Sequence, residues 1–179
     1  SVVTVQPQCP YPGLVSFGAD QGRQFFGRRS EIDWLRENVR RQKLLLVIGA
    51  SGSGKTSLLQ AGLVPQLGPD DVFRLLRPGQ ASLPSLDLVQ NWLQEPGASR
   101  LILVIDQLEE LFLSSKRPQQ QEYFSKLATI MAQPKVVVVL VLRADFFPDL
   151  MASRLWPIDP AQRLEVAPLS GERLVEAIV

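Results

Sequence analysis

At 179 residues, 45% hydrophobic and 21% charged, the chain has the make-up of one compact globular α/β domain, with too little length for two large ones. A net charge of +1 excludes the global basic field that draws nucleic acid or a membrane surface, and the absence of histidine excludes Ser-His-Asp and Cys-His catalysis and every His-based metal site. The single cysteine, Cys9, cannot form an internal disulfide and suits a reducing, cytoplasmic setting.

Residues 1–22 are punctuated by Pro7, Pro10, Pro12, Gly13, Gly18 and Gly22 and read as an extended N-terminal arm or linker, leaving 23–179 as the α/β core. The start of the chain has no charged region followed by an apolar one, so no signal peptide is expected. A helix follows Arg29. Ser30 and Asp33 have the spacing of a capping box, and Ile32, Leu35 and Val39 recur on one face. Arg36, Arg40, Arg41 and Lys43 make the other face basic, which reads as a solvated surface.

Residues 44–48 are a first apolar strand, and the chain then turns through Gly49, Ala50, Ser51, Gly52, Ser53, Gly54, Lys55 and Thr56. This is a complete G-x-x-x-x-G-K-[ST] phosphate-binding loop, followed by Ser57 and a helix. Glycines let the backbone curl so that N–H groups point into one concavity, and the helix start aims its dipole at the same anion. Lys55 is expected to reach the β/γ-phosphates, and Thr56 to ligate Mg²⁺. The helix should run to about Leu63 and stop before Pro65.

A short strand over 72–76, closed by Arg77-Pro78-Gly79, precedes an amphipathic helix carrying Leu83, Leu86, Val89 and Leu93. Residues 101–105 form an uninterrupted apolar run, the mark of a strand buried on both faces of a parallel sheet, and it ends in Asp106, a Walker B pattern. A carboxylate at that end lies where such sheets bind ligands, so Asp106 is the expected Mg²⁺ partner. Glu109 and Glu110 follow. Either could polarise an attacking water, or both could simply enrich a first helical turn in acids.

Residues 117–121 read as a polar loop, and Tyr123, Phe124, Leu127 and Ile130 as the apolar face of the next helix. The longest apolar run, 136–142, is far short of the ~20 residues of a membrane helix and fits a buried strand. Arg143 at its tip could stabilise charge on a γ-phosphate, or could pair with Asp145. A helix over 147–155 interrupted near its start by Pro148, a weak strand over 163–166 and a last helix capped by Ser170 complete the alternation. Leu169-Ser170-Gly171-Glu172 lies on the wrong side of the Walker B strand for a transporter signature, and no N-K-x-D motif is present, which points to ATP rather than GTP.

In combination, Pro10-Tyr11-Pro12-Gly13-Leu14, Phe26-Gly27-Arg28, the phosphate loop with Leu63-Val64-Pro65 after it, Arg77-Pro78-Gly79, Asp106-Gln107-Leu108-Glu109-Glu110-Leu111-Phe112 and Leu142-Arg143-Ala144-Asp145 resemble the STAND NTPases, closest to the first of the novel STAND groups. The resemblance implies a five-stranded sheet in the order 5-1-4-3-2. It places Phe26, Gly27 and Arg28 on the adenine side and Arg143 in the sensor position, where Val141 departs from the usual threonine. It also implies an ADP/ATP switch in a bacterial multidomain protein, with a helical lid, a winged helix, sensor repeats and an effector as partner domains, and homo-oligomers on activation. The lid and winged-helix parts are absent from this sequence, so it reads as a core fragment. The expected activity is slow, Mg²⁺-dependent ATP hydrolysis. A binding module that holds ATP or ADP without turnover is the alternative, and a small-molecule kinase a weaker one for want of an acceptor pocket.

Overall fold

The computed structural model describes residues 28–79, 82–97 and 99–167. Five strands, β1 (Leu44–Gly49), β2 (Asp71–Leu76), β3 (Arg100–Ile105), β4 (Val136–Arg143) and β5 (Arg163–Val166), pair in parallel in the order β2-β3-β4-β1-β5. This is the α/β class and the strand order expected. The arm, Cys9, Phe26, Gly27 and the helix expected after Ser170 lie outside the described residues.

The apolar runs make a two-faced sheet. Along β1, Leu44, Leu46 and Ile48 enter one hydrophobic cluster while Leu45 and Val47 enter the other, as the two-residue repeat of a strand requires. In β4, Val136, Val138, Leu140 and Leu142 alternate in the same way with Val137, Val139 and Val141. The first cluster is covered by α3 (Ser82–Leu93), α4 (Glu109–Ser114), α5 (Arg117–Met131) and α6 (Phe147–Met151). The second is covered by α1 (Arg29–Arg41) and by the helix after the phosphate loop. Tyr123, Phe124, Leu127 and Ile130 of α5 are all buried. On α1 the basic face is solvated, where exposed Arg36 and Arg41 pair with Asp33 and Glu37.

Four local expectations are corrected. Ser30 does not cap α1: the helix begins at Arg29, and the Ser30 hydroxyl donates to Glu31 Oε2 at 2.8 Å instead. The phosphate-loop helix does not stop before Pro65. Its α-helical part, α2 (Lys55–Ser57), widens to i→i+5 bonding over Leu58–Leu63 and then tightens into a 3₁₀ turn over Val64–Gln66. Residues 117–121 are the first turns of α5 rather than a loop, opened by a Lys116 N–H that donates to the Gln119 side chain at 2.9 Å. The segment from Phe147 is helical only to Met151, and Pro148 starts it rather than interrupting it. The Ser153 hydroxyl donates to the Leu150 carbonyl at 2.7 Å just past the helix end, and the Trp156–Pro157 bond that follows is cis.

Gly62 records how closely α1 packs. A Cβ there would lie 2.7 Å from Ile32 Cγ1, so the missing side chain lets the two helices meet.

Candidate functional site

All five strands run the same way, so their carboxyl ends share one edge. The registers Leu76↔Ile105, Gly49↔Arg143 and Gly49↔Val166 place Arg77, Asp106, the phosphate loop, Arg143 and the end of β5 along that edge. In open sheets of this kind ligands bind there. A separate groove of 910 Å³ between α4, α5 and α6, lined by Phe112, Phe124, Arg117 and Arg154 among others, takes no residue from the loop.

Gly49 leaves β1 where there is no room for a side chain: a Cβ would lie 2.5 Å from the Val166 carbonyl oxygen and 2.6 Å from Ser53 Oγ. Gly52 and Gly54 have φ of 76° and 83°, the left-handed region that glycine enters without strain. Ser53 N–H donates to the Ala50 carbonyl at 3.1 Å, closing the turn, while Ala50, Ser51 and Gly52 stay exposed. Lys55 folds across the loop, with Nζ donating to the carbonyls of Gly49 at 3.0 Å and Ala50 at 2.8 Å and standing 3.4 Å from Ser53 Oγ. Burial pushes the Lys55 ammonium below its ordinary pKa. Glu109 and Asp106 pull it back up, Arg143 adds to the depression and Asp145 opposes it. A cation penalised by burial and held against a glycine turn is suited to an anion.

Arg28, which the resemblance places on the adenine side, is joined to the loop. It is 2% exposed, its guanidinium donates to the Ser53 carbonyl at 2.8 Å and pairs with Glu31 at 3.7 Å. The side chain braces the loop from behind.

Asp106 is wholly buried. Its Oδ1 accepts the Thr56 hydroxyl at 2.7 Å and the Gln107 N–H at 3.0 Å, and its Oδ2 takes Arg77 Nε at 3.3 Å. Gln107 has φ 51°, which bends the chain from β3 directly into α4, and Leu108 N–H donates to the Val141 carbonyl at 3.0 Å, tying that bend to β4. Glu109 and Glu110 both fall in the first turn of α4 and diverge from there. Glu109 is 8% exposed, and its Oε2 accepts the Arg143 N–H at 3.3 Å. Glu110 turns toward the tip of β2, where its Oε2 would lie 3.6 Å from a Cβ on Gly79. The Arg143 guanidinium pairs with Asp145 at 2.6 Å and lies over the Phe146 ring at 5.7 Å.

The structure thus brings together Lys55, Thr56, Asp106 and Glu109, and turns the Arg143 guanidinium to Asp145. Sequence reasoning missed the pairing of Arg77 with Asp106. The signal was available only once β2 and β3 were known to be neighbours in register. The donor set suits a hard divalent cation such as Mg²⁺. A hydroxyl and a carboxylate oxygen stand 2.7 Å apart, and among the described residues no cluster of three or more carboxylate, cysteine or histidine side chains could cage a metal alone. Mg²⁺ is held this way, by one or two protein oxygens with phosphates and water completing the shell.

A family model described as Novel STAND NTPase 1 matches residues 10–179. No curated protein matches the chain. Among solved structures, the closed state of Hsp104 with ATPγS and FITC-casein is similar at TM-score 0.60 and 21% identity, over 89% of this chain and 31% of that one. The Walker-type ATPase PABY2304 of Pyrococcus abyssi is similar at 0.56 and 16%, over 86% and 57%. PCH-2 of C. elegans is similar at 0.52 and 14%, over 85% and 41%. At these identities the likeness carries the fold alone, and this chain spans less than two thirds of each. The chain belongs to the novel STAND NTPase 1 family, and its core is of the NTPase type.

Proposed function

We propose that this novel STAND NTPase 1 chain is the ATP-binding and Mg²⁺-dependent ATP-hydrolysing core of a nucleotide-controlled signalling switch. The observation that carries the reading is the Lys55–loop and Thr56–Asp106 geometry, an anion cradle beside a pair of hard oxygen donors. Gly49 to Ser57 hold the phosphates, and Lys55 supplies the positive charge. Thr56 and Asp106 would hold Mg²⁺, which when bound neutralises charge on the phosphates. Glu109, buried beside Lys55 and the tip of β4, orients the water and accepts its proton. Arg143 reaches the γ-phosphate by leaving Asp145. Phe26 and Gly27 belong with the adenine, and Arg28 acts by bracing the loop.

In the whole protein, residues 23–179 work with lid, winged-helix, sensor and effector parts, and with further copies on activation. The ADP state is the resting one and the protein cytoplasmic. No helix among the described residues is long and apolar enough to cross a membrane.

The test is binding and turnover with no acceptor added. Mg-ATP at about 100 times its Kd should stabilise the protein by about 2.7 kcal/mol. That is a rise of roughly 5–10 °C in Tm at this size. Lys55→Ala should abolish the shift. Phosphate release from ATP alone separates an ATPase from a binding module. A wild-type Tm indifferent to millimolar ATP and ADP would remove the nucleotide reading.

A further inference from the structure

Arg77 belongs to neither the loop nor the acidic pair, yet its guanidinium lies on the carboxylate at the centre of the site. We infer that Arg77 competes with the divalent cation for the Asp106 carboxylate, and so sets the Mg²⁺ concentration at which the nucleotide site loads. The inference rests on the nucleotide reading above.

Three observations carry it. Asp106 is wholly buried, and a buried carboxylate must be paired or hydrogen-bonded. Its two oxygens are divided between partners: Oδ1 takes the Thr56 hydroxyl and the Gln107 N–H, while Oδ2 takes Arg77 Nε at 3.3 Å. The aspartate side chain is 0% exposed and that of Arg77 is 51% exposed, so the carboxylate is fixed and the guanidinium can retreat into water. The backbone supports the same placement. Asp106 N–H donates to the Leu76 carbonyl at 2.8 Å, which sets Arg77 beside Asp106. Gly79 N–H donates to the Arg77 carbonyl at 2.9 Å, which closes a tight turn directly after Arg77 at the tip of β2.

A divalent ion and a guanidinium on the same carboxylate repel one another at a range where protein screening is weak. A cation of charge two therefore gains less from Asp106 while Arg77 remains, and each must weaken the other by the same factor. The half-exposed arginine is the partner that yields. Arg77 keeps Asp106 neutralised at low Mg²⁺ and raises the ion concentration needed to displace it.

The experiment is a titration of a fluorescent ADP analogue, following the Mg²⁺ midpoint of tight binding in the wild type, Arg77→Gln and Arg77→Lys. EDTA samples give the metal-independent affinity. Arg77→Gln should lower the midpoint by roughly fivefold, as removing a half-buried ion pair implies, with affinity in EDTA unchanged. Arg77→Lys, which keeps the charge, should stay near the wild type. A midpoint that is unchanged or raised in Arg77→Gln overturns the inference, a raised one making Arg77 a group that positions Asp106 for the ion. The wild type provides a second readout that needs no variant. The NMR signal of the Arg77 Nε–H should lose its protection from exchange when Mg²⁺ and ADP are added together, but keep it with ADP in EDTA. Protection retained at saturating Mg-ADP also overturns it. If the wild type binds no ADP at any Mg²⁺ concentration, both this inference and the nucleotide reading fall. If it binds with a midpoint blind to Arg77, only this one does.

Discussion

Glu109 and Glu110 are neighbours that the first turn of α4 sends in different directions. Glu109 is buried, accepts the Arg143 backbone N–H and is the largest influence raising the Lys55 pKa, so its carboxylate lies on the Lys55 side. Glu110 lies against the β2 tip near Gly79. The proposed hydrolysis needs one carboxylate within reach of a water at the γ-phosphate, and burial favours the first. Glu109→Gln keeps the shape and most of the hydrogen bonding while removing the carboxylate. Phosphate release at saturating ATP should then fall by about 10²–10⁴ with ADP affinity little changed. Glu110→Gln should retain most of the turnover. The reverse ranking would assign the water to Glu110.

At the level of elements, the sequence was most legible where one local rule decides. The β-branched and leucine runs became β1, β3 and β4, and the loop glycines took the left-handed angles that the motif demands. Prolines were the recurrent trap. Pro65 and Pro148 read as breakers and Pro118 as part of a loop, yet each sits in the first turn of a helical segment, where its missing N–H costs nothing. The pairings Arg77–Asp106 and Arg28–Ser53 were illegible for another reason, because they join residues 29 and 25 apart through sheet neighbours and helix packing. Gly62 falls in the same class. Its lack of a side chain is explained only by Ile32 on α1, 2.7 Å from where a Cβ would stand. Gly62→Ala gains about 1 kcal/mol of helix propensity but overpacks this contact by about 1–3 kcal/mol. It should therefore lower Tm in the wild type and raise it in an Ile32→Ala background. A double-mutant cycle measures this coupling, and additive effects would show that α1 does not rest on Gly62.

For the molecule as a whole, the candidate site stands on the tips of the three strands with the least freedom. β1, β3 and β4 are interior in the order β2-β3-β4-β1-β5 and almost entirely buried, whereas β2 is half-buried and β5 has four residues at an edge. Lys55, Asp106 and Arg143 are thereby held by one rigid unit, as a site that works by positioning requires. Val139 lies near the centre of that unit, 0% exposed, with Leu45 and Val104 as its partners on the flanking strands. Val139→Ala removes two methylene-sized groups and leaves a cavity, at a cost of about 2–3 kcal/mol. If β1, β3 and β4 open together, amide exchange should accelerate by the same factor in all three, roughly 30- to 150-fold. The edge strand β5, which exchanges through smaller openings, should change less. Nucleotide affinity should hold, because the strand tips keep their register. Acceleration confined to β4 would mean that the central strands open separately, and the site would then have to draw its rigidity from the bonds between the loop, Thr56 and Asp106 alone.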